Sequence, residues 1–244
     1  MRRDSAYSFH DPKTAFRQGL LNALGVPVVV MCASFLGFGA LVRESGLTLW
    51  LGLYSSATGW ALPGQVAVVE LYSVGASYFV MASVVALTNV RLLPMTVSLM
   101  PQMRVPGQRR WLHYLAAHWV AVTGWAELMQ NGHRIEAPLR LPYFFGYSMT
   151  LWTATLAATA LGFLAADGLP AFVTLGLVFV NPLYFMLVFA TDLRDRMKVL
   201  ALVIGAVLGP SLHLLTPDWG LLLAGLLGGS LAYLIDRWLK GRGA

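Results

Sequence analysis

The chain has 244 residues, of which 57% are hydrophobic and only 11% charged, with a mean hydropathy of +0.66 and a formal charge of +6. Soluble domains carry about 25% charged residues, so this composition excludes an ordinary water-soluble domain. The arginines sit at the ends of apolar runs, which excludes a separate basic domain for nucleic acid, and the single cysteine, Cys32, excludes an internal disulfide.

Uncharged runs cover residues 20–42, 46–69, 71–90, 141–166, 168–191, 199–217 and 219–235. About 20 apolar residues in a helix cross the ~30 Å hydrocarbon core. The sequence therefore predicts an all-α, polytopic membrane protein of about eight helical segments with broken helices and an internal repeat. Residues 1–19 form a basic N-terminal arm, 20–238 the transport domain and 239–244 a tail; arm and tail both belong in the cytoplasm. The first run lacks a small-residue cleavage site and reads as a spanning helix.

Arg43 and Glu44 mark an outside turn. The following stretch has two readings. If runs 46–69, 71–90 and 111–130 all cross, there are eight crossings, and Arg104, Arg109 and Arg110 fall outside. If 46–90 makes one net crossing with a re-entrant piece and 111–130 lies partly in the interface, there are six, and every basic loop is inside. From residue 141 onward four crossings follow, with Asp167 and Asp218 outside and the 192–198 cluster inside.

Lipid tolerates an opened backbone only where protein or a water-filled cavity shelters it. Ala61-Leu62-Pro63-Gly64-Gln65 lies deep in an apolar run. Pro63 removes a donor and Gly64 widens the accessible backbone, so an interrupted helix is expected, its second half starting near Gly64 with free N–H groups that suit a carboxylate. A plain kink is the competing account. Asn181-Pro182 offers a second break in the other half of the chain. Asn89 and Arg91 close the next run, with Arg91 either snorkelling or reaching inward to an anion. Glu70, Glu127 and His118 are the candidate proton carriers, each with an interfacial alternative. The spaced pairs Gly205/Gly209 and Gly225/Gly229 predict close helix packing.

Leu36-Gly37-Phe38, Ser45-Gly46-Leu47 and Leu51-Gly52-Leu53 echo Leu161-Gly162-Phe163, Asp167-Gly168-Leu169 and Leu175-Gly176-Leu177 at offsets of 125, 122 and 124 residues. Metal-ligand spacings, a phosphate loop and a nucleophile elbow are absent from the sequence, so no enzyme activity, metal or cofactor is expected.

Pro27, Phe35-Leu36-Gly37-Phe38-Gly39, Ser55-Ser56, Ala61-Leu62-Pro63-Gly64-Gln65 and Thr88-Asn89-Val90-Arg91, in this order, resemble the AzlC family, the large subunit of branched-chain amino-acid exporters. Asn181-Pro182-Leu183 and the helix over 201–209 resemble its C-terminal half. The resemblance implies export of small hydrophobic amino acids across a bacterial inner membrane, proton drive and a small AzlD-like membrane partner. It carries over Gln65, Asn89 and Arg91 as polar signature positions. The family's Asp-Glu pair in the fourth segment is replaced here by Thr123-Gly124-Trp125, with Glu127 further on, which bears on coupling and substrate. A non-transporting membrane subunit or assembly scaffold is the alternative function.

Overall fold

The computed structural model describes Tyr7, Phe9 and residues 11–190, 196–215 and 220–241. A few side chains within those ranges, that of Asn181 among them, lie outside the description. Every regular element among the described residues is helical. Residues up to Asn181 form one compact unit and those from Pro182 a second.

In the first unit, α1 (Pro12–Ala23) and α2 (Val26–Glu44) follow each other and pack along one long helix, α9 (Ala137–Ala165). The expected first span is therefore interrupted at Leu24-Gly25, just ahead of Pro27. Contacts fix the direction. Asn22 donates to the Tyr143 hydroxyl at 3.0 Å, the Cys32 thiol faces the Ala154 carbonyl, and Arg43 Nη2 pairs with Asp167 at 2.7 Å. Both helices advance together, so α1–α2 and α9 run parallel, and the echoing segments around Gly37 and Gly162, and around Ser45 and Asp167, lie side by side.

Glycine permits this approach. A Cβ on Gly146 would strike the Phe16 carbonyl, one on Gly162 the Leu36 carbonyl, and one on Gly39 the Thr159 carbonyl. Backbone-to-backbone contact of this kind drives helix association where lipid removes the hydrophobic difference.

The helices between α2 and α9 are short: α3 (Leu49–Gly59), α4 (Leu62–Ser73), α5 (Tyr78–Asn89), α6 (Leu92–Met103), α7 (Arg110–His118) and α8 (Val122–Asn131). Gly46 and Gly75, at φ +73° and +72°, make the turns into α3 and α5. From the Asp167 end of α9, α3 descends to mid-height, where Ser56 meets Thr159 at 3.1 Å and Trp60 Nε1 donates to Thr155 at 3.0 Å. At the far end, α6 is anchored by Arg140, which donates to the Gln102 carbonyl at 3.1 Å, and Trp125 donates to Ser98 at 2.9 Å. Thus α6 runs toward the Pro12 end of the bundle. The pair α5–α6 bends by only 43°, so α5 comes from the Asp167 end. Gly64 abuts Asn89, and α4, joined to α5 by a tight turn, must run back toward the end from which α3 came.

The pair α7–α8 does the opposite. α7 rises from the Pro12 end, with Trp119 against Phe145 and Trp152. α8 returns, with Gly124 beside Ser148 and Glu127 accepting from the Tyr143 hydroxyl at 2.7 Å. Two broken-helix hairpins thus enter from opposite ends and meet near the middle of α9.

α10 (Ala171–Ala190) runs antiparallel to α2, since Thr174 donates to Glu44 at 2.9 Å while Leu177 and Val178 reach Gly37. It is helical throughout Ala171–Ala190, which corrects the expected break at Asn181-Pro182. One missing hydrogen bond at an internal proline is tolerable where neighbouring helices shelter the freed carbonyl.

In the second unit α11 (Arg196–Leu215) and α12 (Gly220–Gly241) pack as a hairpin, where a Cβ added to Gly228 would lie 3.7 Å from the Gly205 backbone. Of the glycines expected to pack closely, Gly205 lies in this approach, opposite Gly228. An added Cβ at Gly205, Gly209, Gly225 or Gly229 meets nothing within 4 Å, and Gly228 supplies the close approach.

The polarity of the first unit is inside out. Tyr78 and Phe79 are 84% and 81% exposed, while Ser34, Ser56, Gln65, Thr155 and Thr159 are buried. Lipid solvates such a surface and water does not. Among the described residues, α2 and the segment Ala137–Gly168 are long and apolar enough to cross a membrane, and α5–α6 make a third if the bent pair is one span.

Candidate functional site at the hairpin tips

Among the helices that begin near an end of the bundle, α1, α3 and α5 carry side-chain caps, whereas α7 and α9 do not. The Asp11 carboxylate accepts from the Thr14 amide at 2.8 Å, Thr48 caps α3 and Ser77 caps α5. The two helices that begin in the interior have alanine instead: Ala61 before α4 and Ala121 before α8, neither with a side-chain cap. Both alanines are buried, at 6% and 8% exposure. Alanine cannot satisfy the orphan donors of a helix start.

The backbone at the first break is open. The Gly64 and Gln65 amides both donate to the Ala61 carbonyl. This corrects the expectation that α4 starts near Gly64 with that amide free: it starts two residues earlier. The amides of Trp60 and Ala61 have no acceptor among the described residues. Each orphaned buried donor costs about 1–3 kcal/mol, and at a helix N-terminus such donors select an anion.

Buried acceptors stand nearby. Gln65, 4% exposed, donates through Nε2 to Ser55 and Ser56 at 3.1 Å each, while its Oε1 has no partner. Asn89 Oδ1 is likewise unpartnered and would lie 3.1 Å from a Cβ on Gly64. The structure therefore brings Gly64, Gln65 and Asn89 together around one break. Pro63, the second residue of α4, is exposed. Arg91 sits at the α5–α6 bend, exposed and without a hydrogen bond or ion pair among the described residues. The side chain of Asn181 lies outside the description.

His118, at the tip of the second hairpin, faces the Ala57 carbonyl at 3.3 Å, and Trp152 Nε1 donates to the same oxygen at 3.2 Å. The carbonyl end of α3 is thus held by the opposite hairpin. Beyond the tip, Thr123 Oγ1 and Ser148 Oγ are buried and unpartnered. Glu127 is lower on α8, half-buried, accepting from Tyr143, Tyr7 and Asn131 at 2.7, 3.0 and 3.2 Å. Glu70 is exposed on α4.

The break at Trp119–Ala121 was missed in the sequence because it contains no proline or glycine. Its one signal is the spacing of 60 residues that relates Ala57, Ala61 and Gly64 to Ala117, Ala121 and Gly124.

A family model described as AzlC protein matches residues 27–169, which include α2 through α9 and both hairpin tips. The chain belongs to the AzlC family. An AzlC assignment makes it a membrane protein of transport-related function, in agreement with its apolar exterior and polar, broken-helix interior. No curated protein and no solved structure shows significant similarity to the chain.

Proposed function

We propose that this AzlC protein is the large subunit of an exporter of branched-chain or similar hydrophobic amino acids. It works in a bacterial inner membrane with a small AzlD-like membrane partner and draws on the proton gradient.

The observation that carries this reading is the pairing of free donors and free acceptors at one buried break. A zwitterionic amino acid needs N–H groups for its carboxylate, and Trp60 and Ala61 offer two at the start of α4. It needs acceptors for its ammonium, and Gln65 Oε1 and Asn89 Oδ1 are open. Its side chain needs an apolar surround, which the cluster of Phe35, Trp60, Leu62 and Leu151 supplies. Half-helix termini facing a midplane site are a recurring device of secondary transporters.

The hairpin geometry also favours the six-crossing arrangement. With α3–α4 and α7–α8 both re-entrant, α1–α2, α5–α6, α9, α10, α11 and α12 cross. The loop holding Arg104, Arg109 and Arg110 then lies on the side of the N-terminal arm, as the positive-inside rule requires. Alternating access follows from withdrawing one tip at a time: α3–α4 opens the site toward the Asp167 end, and α7–α8 toward the Pro12 end. Glu127, on the arm-side hairpin, is placed to link protonation to that movement. When it is neutral its carboxyl no longer attracts the Tyr7 and Tyr143 hydroxyls as strongly.

The test is efflux from cells loaded with a leucine- or valine-containing dipeptide. Deletion of the gene is expected to raise intracellular leucine or valine, and restoring the gene with its partner to lower it. Equal retention in all strains rejects the substrate class.

A further inference from the structure

An open groove of about 640 Å³ runs between α1, α7 and the first half of α9, with its inner end reaching Trp119 at the tip of α7. We propose that it is a binding site for one acyl chain of an anionic phospholipid, with the phosphate held at Lys13.

Three element ends form its mouth: Lys13 in the first turn of α1, Gln108 in the α6–α7 loop, and Pro138 in the first turn of α9. From there the wall follows α9 through Leu141 and Phe145 to Met149. The eleven steps from Pro138 to Met149, at ~1.5 Å each, give a depth of about 16 Å. That matches half of the ~30 Å hydrocarbon core, about 15 Å. The groove is as long as one leaflet is deep.

The charge at the mouth selects the headgroup. Lys13, Arg17, Arg109 and Arg110 are exposed, and none forms an ion pair among the described residues. Two carboxylates lie close in sequence. Asp11 is engaged in capping α1, and Glu136 precedes the first turn of α9. Four cations against two carboxylates leave a net positive rim at the proposed membrane–water boundary, where each basic residue favours an anionic lipid.

The wall argues for a flexible chain over a partner helix. Its residues are Pro, Leu, Phe, Trp and Met beside Lys13 and Gln108, with no Gly, Ala or Ser among them. Membrane helices dock where small residues let backbones approach. α9 does this outside the groove lining, against α1 and α2, through Gly146 and Gly162. A surface of large side chains separated by a gap suits an acyl tail, which can follow the relief.

The experiment is native mass spectrometry of the full chain released from vesicles of equimolar phosphatidylglycerol and phosphatidylcholine. Wild type is expected to retain phosphatidylglycerol several-fold over phosphatidylcholine. Lys13→Gln should reduce that preference about fivefold, the effect of one basic residue near the surface. Leu115→Trp and Met149→Trp, which fill the groove, should lose both lipids while keeping the wild-type melting temperature. Three results would overturn the proposal: equal retention of the two lipids by wild type, an unchanged preference in Lys13→Gln, or loss of bound lipid on co-expression of the small partner subunit. The last would show that a protein occupies the groove.

Discussion

His118 Nε2 stands 3.3 Å from the carbonyl oxygen of Ala57, although the two residues enter the interior on different hairpins from opposite ends. The contact ties the C-terminus of α3 to the tip of α7, and the helix starts that follow each, at Ala61 and Ala121, are both uncapped. The meeting point of the two hairpins is therefore built from backbone ends and small polar side chains, with no carboxylate at the tips.

Gly64→Val should abolish transport with little loss of stability. A Cβ at Gly64 would already lie 3.1–3.2 Å from the Asn89 amide, and two further methyl groups would occupy the space given to the solute. Efflux is expected to fall below about a tenth of wild type, while the melting temperature changes by less than about 4 °C, the shift that about 1 kcal/mol produces in a domain of this size.

Gln65→Leu should lower both activity and stability. The amide donates to Ser55 and Ser56, and its loss removes two hydrogen bonds at a buried position, about 1 kcal/mol each. A thermal melt 4–8 °C lower, with efflux near background, is the expected pair of results. Wild-type efflux in Gln65→Leu would show that the ammonium is held elsewhere.

Gly146→Leu and Gly162→Leu test the axis on which both hairpins rest. Each side chain would be driven into the backbone of α1 or α2, at the Phe16 and Leu36 carbonyls. Separation of α1–α2 from α9 is the only relief, so neither variant should accumulate as a folded monomer on size-exclusion chromatography. At Gly176, where an added Cβ meets nothing within 4 Å, alanine should be tolerated.

Much of this arrangement was legible in the sequence. Pro63-Gly64 in an apolar run announced the first broken helix. The offset near 124 residues reappears as the register in which α2 lies along α9. What stayed hidden has physical causes. The second hairpin breaks at Trp119–Ala121, where tertiary contacts with Trp152 and Phe145 stop a helix that local propensity would continue. Asn181-Pro182 misled in the other direction, because a proline inside a membrane helix need not break it. The Tyr7–Glu127 contact joins residues 120 positions apart, a pairing no local pattern reports.

That contact carries a pH signature. Burial first, and then the Glu127 carboxylate beside it, push the Tyr7 phenol up to about 12 from the ordinary value near 10. A raised phenol favours the neutral folded form. Its contribution to docking of the N-terminal arm is complete below pH ~10 and disappears as pH climbs toward 12. The difference between wild type and Tyr7→Phe in phenolate absorbance should therefore be near zero at pH 10.5 and about half its full value near pH 12. Glu127→Gln should move it to lower pH, by removing the neighbouring charge.

The account stands on two hairpins that dip in from opposite sides, and sidedness of labelling reads this directly. In a Cys32→Ser background, single cysteines at Ser45 and Val74 flank α3–α4, and single cysteines at Gln108 and His133 flank α7–α8. With a membrane-impermeant maleimide on sealed vesicles of known orientation, Ser45→Cys and Val74→Cys should label from one side, and Gln108→Cys and His133→Cys from the other. Labelling of Ser45→Cys and Val74→Cys from opposite sides would mean that α3–α4 crosses the bilayer, and would contradict the re-entrant site.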